Sequence, residues 1–448
     1  MNIVLKVNNQ SIETSGLTKD YREAICEYVW NGFEANAKNV AISFTQNVMT
    51  GIDSITVSDD GDGIIFDELS DTFGAFLVSQ KNSLSLKAKT KANKGKGRFS
   101  FGVFSTLATW YTKYKDGNDI YAYTIKLDSA NKQDIVCDDI PQKISDLNTG
   151  TIVTFYNIHD MSIDDISVDK VEDYLLSEFS WFLYLFKDRH LSINGVNIDY
   201  NKHINIDYSD SVIFNIANNS FQVDLIVWKE KIKEKFCCYF MSSANVLKGS
   251  DTTTFNRNTI DFNHSVFVKS SMFDDKSSVC FDSYEQTTLL NNDEQRFVFK
   301  ELKIKIQTLI ESKLTSYMTT KADEEIFKMI NERKTFPVFS NDEYGKIKKR
   351  DMIRVTKGLY CTEPRLFYKL KDIQEKSLLG FLNLLLNSEE RENILSVVEQ
   401  IVDLSPKQRA SFADMLRKSN LENIIETIQF VEDRYKVIET LKTLIYDL

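Results

Sequence analysis

The sequence is poor in metal ligands. It has four histidines (His159, His190, His203 and His264), none at a ligand spacing, and six cysteines without a C-x-x-C pair. A zinc site and a redox couple are therefore not expected. The adjacent Cys237 and Cys238 read as strand neighbours facing opposite sides. Long apolar runs are also missing. "LLGFLNLLL" is among the longest and is too short to cross a bilayer. The opening "MNIVLKVNNQ" lacks the charged and then apolar regions of a secretion signal. No membrane partner is expected, and the expected location is cytoplasmic. Positive charge is not in excess: the net charge is -10 and the pI about 5.2. That excludes a protein that coats nucleic acid with its whole surface and leaves room for local basic patches. What is present, 42% hydrophobic and 12% aromatic residues in 448, is enough for two or three domains with real cores.

Residues 1 to 200 alternate strand and helix patterns. A strand is expected at "NIVLKV", a helix over 19–37, strands at "NVAISF", "SITVSDDGDG", "DIYAYTIKL" and "TIVTFYNI", and a helix over 171–186. "HLSINGVNID" reads as a hairpin turning at Asn194-Gly195. Strands at "FQVDLIVWKE" and "KFCCYFMSS" come next, then a helix around 294–318, and beyond 320 almost everything is helical. Three of the four prolines lie after residue 330, and Ser405-Pro406-Lys407-Gln408 has the form of a capped helix start. Ile424, Ile428, Val431, Tyr435 and Ile438 form a seam that packs on another helix, in the same chain or a second one.

Four short motifs carry the chemistry. In "EYVWNGFEANAK", Glu27, Asn31 and Glu34 share a helix face while Ile25, Val29 and Phe33 point elsewhere. A carboxamide beside a carboxylate can ligate Mg2+ while the carboxylate orients or deprotonates a water; a solvated helix face has the same spacing. "VSDDGDGI" places Asp59, Gly61 and Gly63 directly after a strand, where an aspartate can accept from an exocyclic amine and glycines let the backbone approach a ligand; a plain Asp/Gly turn reads alike. "NKGKGRFSFGVFS" holds Gly95, Gly97 and Gly102 with Lys94, Lys96 and Arg98, after the basic run 79–94. Glycines ahead of a helix can present N–H groups to phosphate, and a flexible linker would have the same composition. Gly150-Thr151 opens the strand "GTIVTF", with a hydroxyl able to support an aspartate.

In this order and at these intervals the four motifs resemble those of the Bergerat-fold (GHKL) ATPases, the superfamily of gyrase, Hsp90, histidine kinases and MutL. The resemblance covers residues 1 to about 200, and six of the sixteen glycines fall in its motifs. It implies an α/β fold: an N-terminal Bergerat α/β sandwich (1–200), a mixed α/β transducer-like domain (201–320) and a C-terminal helical region (321–448). It implies ATP and Mg2+ as cofactors. Glu27 would be the general base, Asn31 the Mg2+ ligand and Asp59 the adenine contact, backed by Thr151. Gly61 and Gly63 would shape the adenine pocket. Gly95 and Gly97 would hold a lid (79–94, ordered by nucleotide) against the triphosphate, and Glu34, Lys94, Lys96, Arg98 and Gly102 complete the expected binding set. Glu34 departs from the pattern, in which Asp is usual.

The branch is narrowed by absences. No histidine occurs in the 26 residues before Glu27, against a histidine kinase. No D-x-D cluster beyond 320 and no His/Cys-rich nuclease motif appears, against gyrase subunits and MutL endonucleases. An impression of Hsp90/MutL/MORC-like bacterial ATP-binding proteins remains. It implies a homodimer formed on ATP binding, a γ-phosphate-sensing Lys248 or Arg257, nucleic acid as a partner, and an effector domain or protein docked on the C-terminal helices, as with nuclease effectors in anti-phage defence. The reading is a nucleotide-gated dimeric clamp with ATPase activity. An Hsp90-like chaperone and a nucleotide-binding scaffold with negligible turnover are the alternatives. The strip "KIKKRDMIR" (346–354) favours the clamp.

Overall fold

The computed structural model describes residues 17–47, 51–73, 97–159, 168–253, 260–276, 279–281, 293–368 and 370–386. The strand expected at "NIVLKV", the lid 79–94, Lys94, Gly95, Lys96, Arg257 and everything after residue 386, including the capped start at Ser405 and the seam from Ile424, lie outside them.

Helix α1 (Tyr21–Glu34) starts where Asp20 accepts a hydrogen bond from the Arg22 N–H at 2.9 Å, and the Thr18 hydroxyl adds a bond to Glu23 at 2.7 Å. Such a cap satisfies one of the orphan donors of a first turn. The helix ends at Ala35 and Asn36, whose φ of 63° turns the chain into strand β1 (Asn39–Gln46). Strand β2 (Ile52–Asp59) returns antiparallel to β1. The large sheet is completed by β3 (Ser105–Asp116), β4 (Asp119–Asp128), β5 (Asn131–Cys137), β6 (Gln142–Ile144) and β7 (Gly150–Ile158). After helix α2 (Val168–Leu185) come β8 (His190–Ile193) and β9 (Val196–Asn197).

The strand order is β5-β4-β3-β7-β2-β1-β8-β9, with β6 on β4, and only the β1–β8 pairing in this sheet is parallel. Strand β2 is therefore central, and its last residue, Asp59, pairs with Thr151 on one side and Val40 on the other. Alternation does the rest. Ile55 and Val57 of β2, Val40 and Ile42 of β1 and Val153 and Phe155 of β7 point inward to Ala24, Ile25, Tyr28, Val29 and Phe33 of α1 in one apolar core.

A second sheet is built from β10 (Asp210–Ile216), β11 (Asn219–Trp228), β12 (Cys237–Met241), β13 (Leu247–Thr252) and β14 (Asn263–Lys269), in the order β10-β11-β14-β12-β13. Cys238 is buried and Cys237 half-buried, as their alternation requires. Helix α2 serves both sheets. Phe179 and Phe182 pack on Trp30 and Phe33 of α1, while Trp181 stacks on Tyr239 at 5.0 Å and 3°, and Tyr184 on Phe267 at 4.6 Å. The core runs through both sheets, reaching Trp228, Tyr239 and Phe267 of the second.

The last described helices are α3 (Asp293–Asn331), α4 (Glu343–Thr362) and α5 (Asp372–Leu386). The chain divides within α3: Met1–Thr254 and Asn263–Lys303 form one compact unit, Phe255–Phe262 and Ile304–Leu448 the other. The second unit has its own core, in which Ile326 and Met329 meet Met352, Val355 and Leu359 of α4 and Leu379 and Leu382 of α5. Among the described residues no helix is long and apolar enough to cross a membrane.

Candidate functional site

The site is built where α1 lies over the end of β2. The helix can come close because position 32 has no side chain: a Cβ on Gly32 would stand 2.9 Å from Asp59 Cβ and 3.0 Å from Val40 Cγ2. Sequence reasoning passed over Gly32; the signal was a glycine inside a helix pattern, which costs propensity and implies a close approach. On this helix Glu27 and Glu34 are half-buried and Asn31 is exposed, whereas Ile25, Val29 and Phe33 are buried. The three polar residues thus share the outer face while the apolar ones enter the core.

Asp59 Oδ1 accepts from the backbone N–H of Gly61 at 2.9 Å and of Thr151 at 3.3 Å. No cation balances it among the described residues. Burial pushes its carboxyl above the ordinary value, Asp60 adds to the rise, and the two N–H groups offset part of it. The next residue does a different job. Asp60 turns outward and binds the N–H groups of Lys38 at 2.7 Å and Asn39 at 2.8 Å, holding the α1–β1 turn. Of two adjacent aspartates, one faces the site and one fastens the backbone.

The turn after β2 is secured at three points. Asp62 N–H donates to the Ala35 carbonyl at 2.7 Å, Ile64 N–H to Thr112 Oγ1 at 2.9 Å, and the Tyr123 hydroxyl to the Ile64 carbonyl at 3.1 Å. Gly61 leaves no room for a side chain, since a Cβ would stand 2.5 Å from the Ala35 carbonyl oxygen. Gly63 has φ +76° and passes so close to strand β3 that a Cβ would lie 2.1 Å from the Lys113 carbonyl oxygen, so it meets both conditions that select glycine. The Thr151 hydroxyl pairs with Thr112 at 3.1 Å, and its support of Asp59 runs through the backbone. Thr112, which ties this pair to the turn, was not picked out from the sequence: strand β3 lies in a stretch with no motif.

The second glycine segment crosses the helix directly at Glu27. A Cβ on Gly97 would lie 2.9 Å from Glu27 Oε2. The Tyr28 hydroxyl donates to the Arg98 carbonyl at 3.0 Å, and Ser100 Oγ to the Gly97 carbonyl at 2.6 Å. The segment Gly97–Val103 is a 3-10 helix, a tight coil that turns promptly into β3. Arg98 is packed with its guanidinium 5.3 Å from the Phe73 ring centre and 4.7 Å from that of Phe99; burial lowers its pKa to about 10. Gly102 faces the buried Lys132, whose Nζ would be 3.2 Å from a Cβ there. Lys248, on β13, donates to the Asp274 carbonyl at 3.0 Å.

Residues 19–156, which span α1, the Asp59 turn and the second glycine segment, match the family of histidine kinase-, DNA gyrase B- and HSP90-like ATPases. That stretch is thus similar to the GHKL ATPase family over 19–156. Among solved structures, the ATPase region of Saccharomyces cerevisiae topoisomerase II is similar at 16% identity over 65% of this chain and 85% of that one, TM-score 0.33. The Aquifex aeolicus MutL ATPase domain complexed with ADP is similar at 10% identity, over 56% and 92%, TM-score 0.30. The N-terminal domain of a DNA repair protein is similar at 13% identity, over 68% and 98%, TM-score 0.36. These three are distant likenesses. No curated protein matches the sequence.

Proposed function

We propose that the protein binds ATP with Mg2+ and hydrolyses it, and that the nucleotide gates the association of two copies. The observation that carries this reading is the convergence of Gly97 on Glu27, one helix turn from Asn31, on the same helix whose Gly32 packs against Asp59, a carboxyl with no cation on it among the described residues. Asp59 would accept from the adenine amine, a task that suits a half-buried carboxylate held by backbone N–H groups and, among the described residues, by no cation. Glu27 would take the proton of the attacking water, and Asn31, exposed on the same face, would offer its amide oxygen to Mg2+. A bound Mg2+ would neutralise phosphate charge. Among the described residues no cluster of three His, Cys, Asp or Glu could hold a metal alone, so the nucleotide itself would complete the ion's shell. Gly97 would bring its backbone within reach of the phosphates while leaving Glu27 in place. Thr112 and Thr151 keep the Asp59 turn in position. Closure of two copies on ATP accords with the logic of elements ordered by a γ-phosphate; an effector on the C-terminal helices and a place in anti-phage defence rest on the resemblance alone.

The test is Glu27→Gln. Steady-state ATP turnover is expected to drop about 100-fold or more while ATP binding persists, and light scattering is expected to show a dimer with a non-hydrolysable analogue. Near-normal turnover in this variant removes Glu27 from the role of base.

A further inference from the structure

A second polar recess lies away from Glu27 and Asp59. It is a groove of about 600 Å³ between the start of α2, the turn Tyr200–His203 and the segment leaving β11, with Arg22 of α1 at its edge. Five cations line it: Arg22, Lys170, Lys202, Lys229 and Lys231. Only Asp173 and Glu230 line it with the opposite sign, so the walls are positive on a chain of net charge -10. Lys229 and Lys231 are exposed, and neither side chain has an ion pair among the described residues. Their backbones are nonetheless fixed: Lys229 N–H donates to the His203 carbonyl at 2.8 Å and Ser177 Oγ to the Lys231 carbonyl at 2.8 Å. Arg22 is held by Asp20 at 2.8 Å and lies 4.8 Å from the Tyr174 ring centre. Lys202 reaches Glu172 only at 4.0 Å and is 68% exposed.

The lining also holds a buried group that lacks a partner. His203 is 8% exposed, and its Nδ1 finds no hydrogen bond among the described residues. A buried polar atom so placed has a hydrogen bond to offer a ligand or an ordered water. An oxyanion in the groove, or the water it orders, would supply the partner. A single carboxylate would meet one or two of the ammonium groups. Several cations spread along an open groove instead match several linked phosphates, each drawing on a separate charge.

We propose that this groove binds a run of linked phosphates, supplied by a nucleic-acid backbone or by free polyphosphate. The proposal is independent of the nucleotide reading above, because none of the lining residues belongs to that site.

The test uses the full chain and Lys229→Glu/Lys231→Glu, with the charge reversal at exposed Lys126 on β4, Lys126→Glu, as control; thermal melting verifies that each is folded. Two probes are used: a labelled 30-base DNA strand by fluorescence anisotropy, and inorganic tripolyphosphate by calorimetry. If nucleic acid is the source, DNA affinity at low salt falls about 10-fold or more in the double variant and the salt slope loses about 1.4 of its value, two phosphate contacts at ~0.7 each on a single strand. If free polyphosphate is the source, tripolyphosphate binding falls by a similar factor and DNA binds neither protein. In either case Lys126→Glu binds as the parent does. Binding of both probes that is equal in parent and double variant, or absent from the parent, overturns the proposal.

Discussion

Two carboxylates, half-buried Asp59 and buried Glu375, one in each compact unit, have opposite surroundings. Asp59 is held by two backbone N–H groups and no cation among the described residues. Glu375, 5% exposed on α5, accepts from Arg333 Nε and Nη2, both at 3.0 Å, and from Thr335 Oγ1 at 2.6 Å. Arg333 in turn reaches Glu325 at 3.0 Å. The second arrangement is complete: its charge is matched and its lone pairs are used within the fold. The first keeps acceptor capacity in reserve, at a cost in solvation that its raised pKa records. A carboxylate stabilised by the fold reads as structure; one merely tolerated by it reads as a working group.

The largest expected effect breaks the first member of the pair. Asp59→Asn or Asp59→Ala should weaken ATP binding roughly 100-fold or more, about 3 kcal/mol, since an amine donor would be left buried and unpaired. The empty protein should respond in the opposite sense. A carboxyl whose native pKa is raised is costly to fold when ionised, so its contribution to stability is lost as pH rises from the ordinary carboxylate range through the native value. Asp59→Asn should therefore flatten that pH dependence and leave melting at neutral pH equal or higher. A variant that loses stability at neutral pH while binding ATP normally would reverse the assignment.

Glu375→Ala should do the reverse, leaving ATP affinity unchanged and destabilising the helical unit by about 2 kcal/mol. That is less than the ~3–5 kcal/mol of an orphaned buried charge, because Arg333 keeps Glu325. Denaturant unfolding monitored with a probe in that unit measures it. The smallest effect sharpens the comparison at the solvent edge. Asp20, the α1 cap, is one-third exposed. Burial works to raise its carboxyl, but hydrogen bonds from Arg22 bring it below the ordinary value. Asp20→Ala should cost about 1 kcal/mol in unfolding free energy, and an unchanged midpoint would show that Thr18 and Glu23 suffice to start the helix.

Much of the N-terminal core could be read from local pattern. The expected helix 19–37 is α1, Tyr21–Glu34, and strands are present at "NVAISF", "DIYAYTIKL" and "TIVTFYNI"; the strand expected at "SITVSDDGDG" ends earlier, at Asp59. These segments combine clear periodicity with punctuation by Asp, Asn and Gly. Asn194 and Gly195 have φ of 47° and 82°, as a primed hairpin turn requires. What was not legible depends on contacts distant in sequence. Strand β3 carries Thr112, yet only its pairing with β7 places that hydroxyl beside Thr151. The packing of Arg98 on Phe73 and Phe99 cannot be inferred from a basic, glycine-rich run. The spacing to Gly61 and Gly63 singles out Asp59 over Asp60, but what turns it inward is the register of β2, which pairing sets.

The junction of Trp30, Glu178 and Lys233 has a mechanical consequence. Trp30 Nε1 donates to Glu178 at 2.8 Å, and Glu178, 6% exposed on α2, pairs with Lys233 at 3.0 Å on the segment between β11 and β12. The three side chains come from the helix that bears Glu27, the helix shared by both sheets, and the approach to the second sheet. Sliding any one of them past the others would strand a charge away from water. The joint thus couples α1, at Trp30, the neighbour of Asn31, to the second sheet through α2.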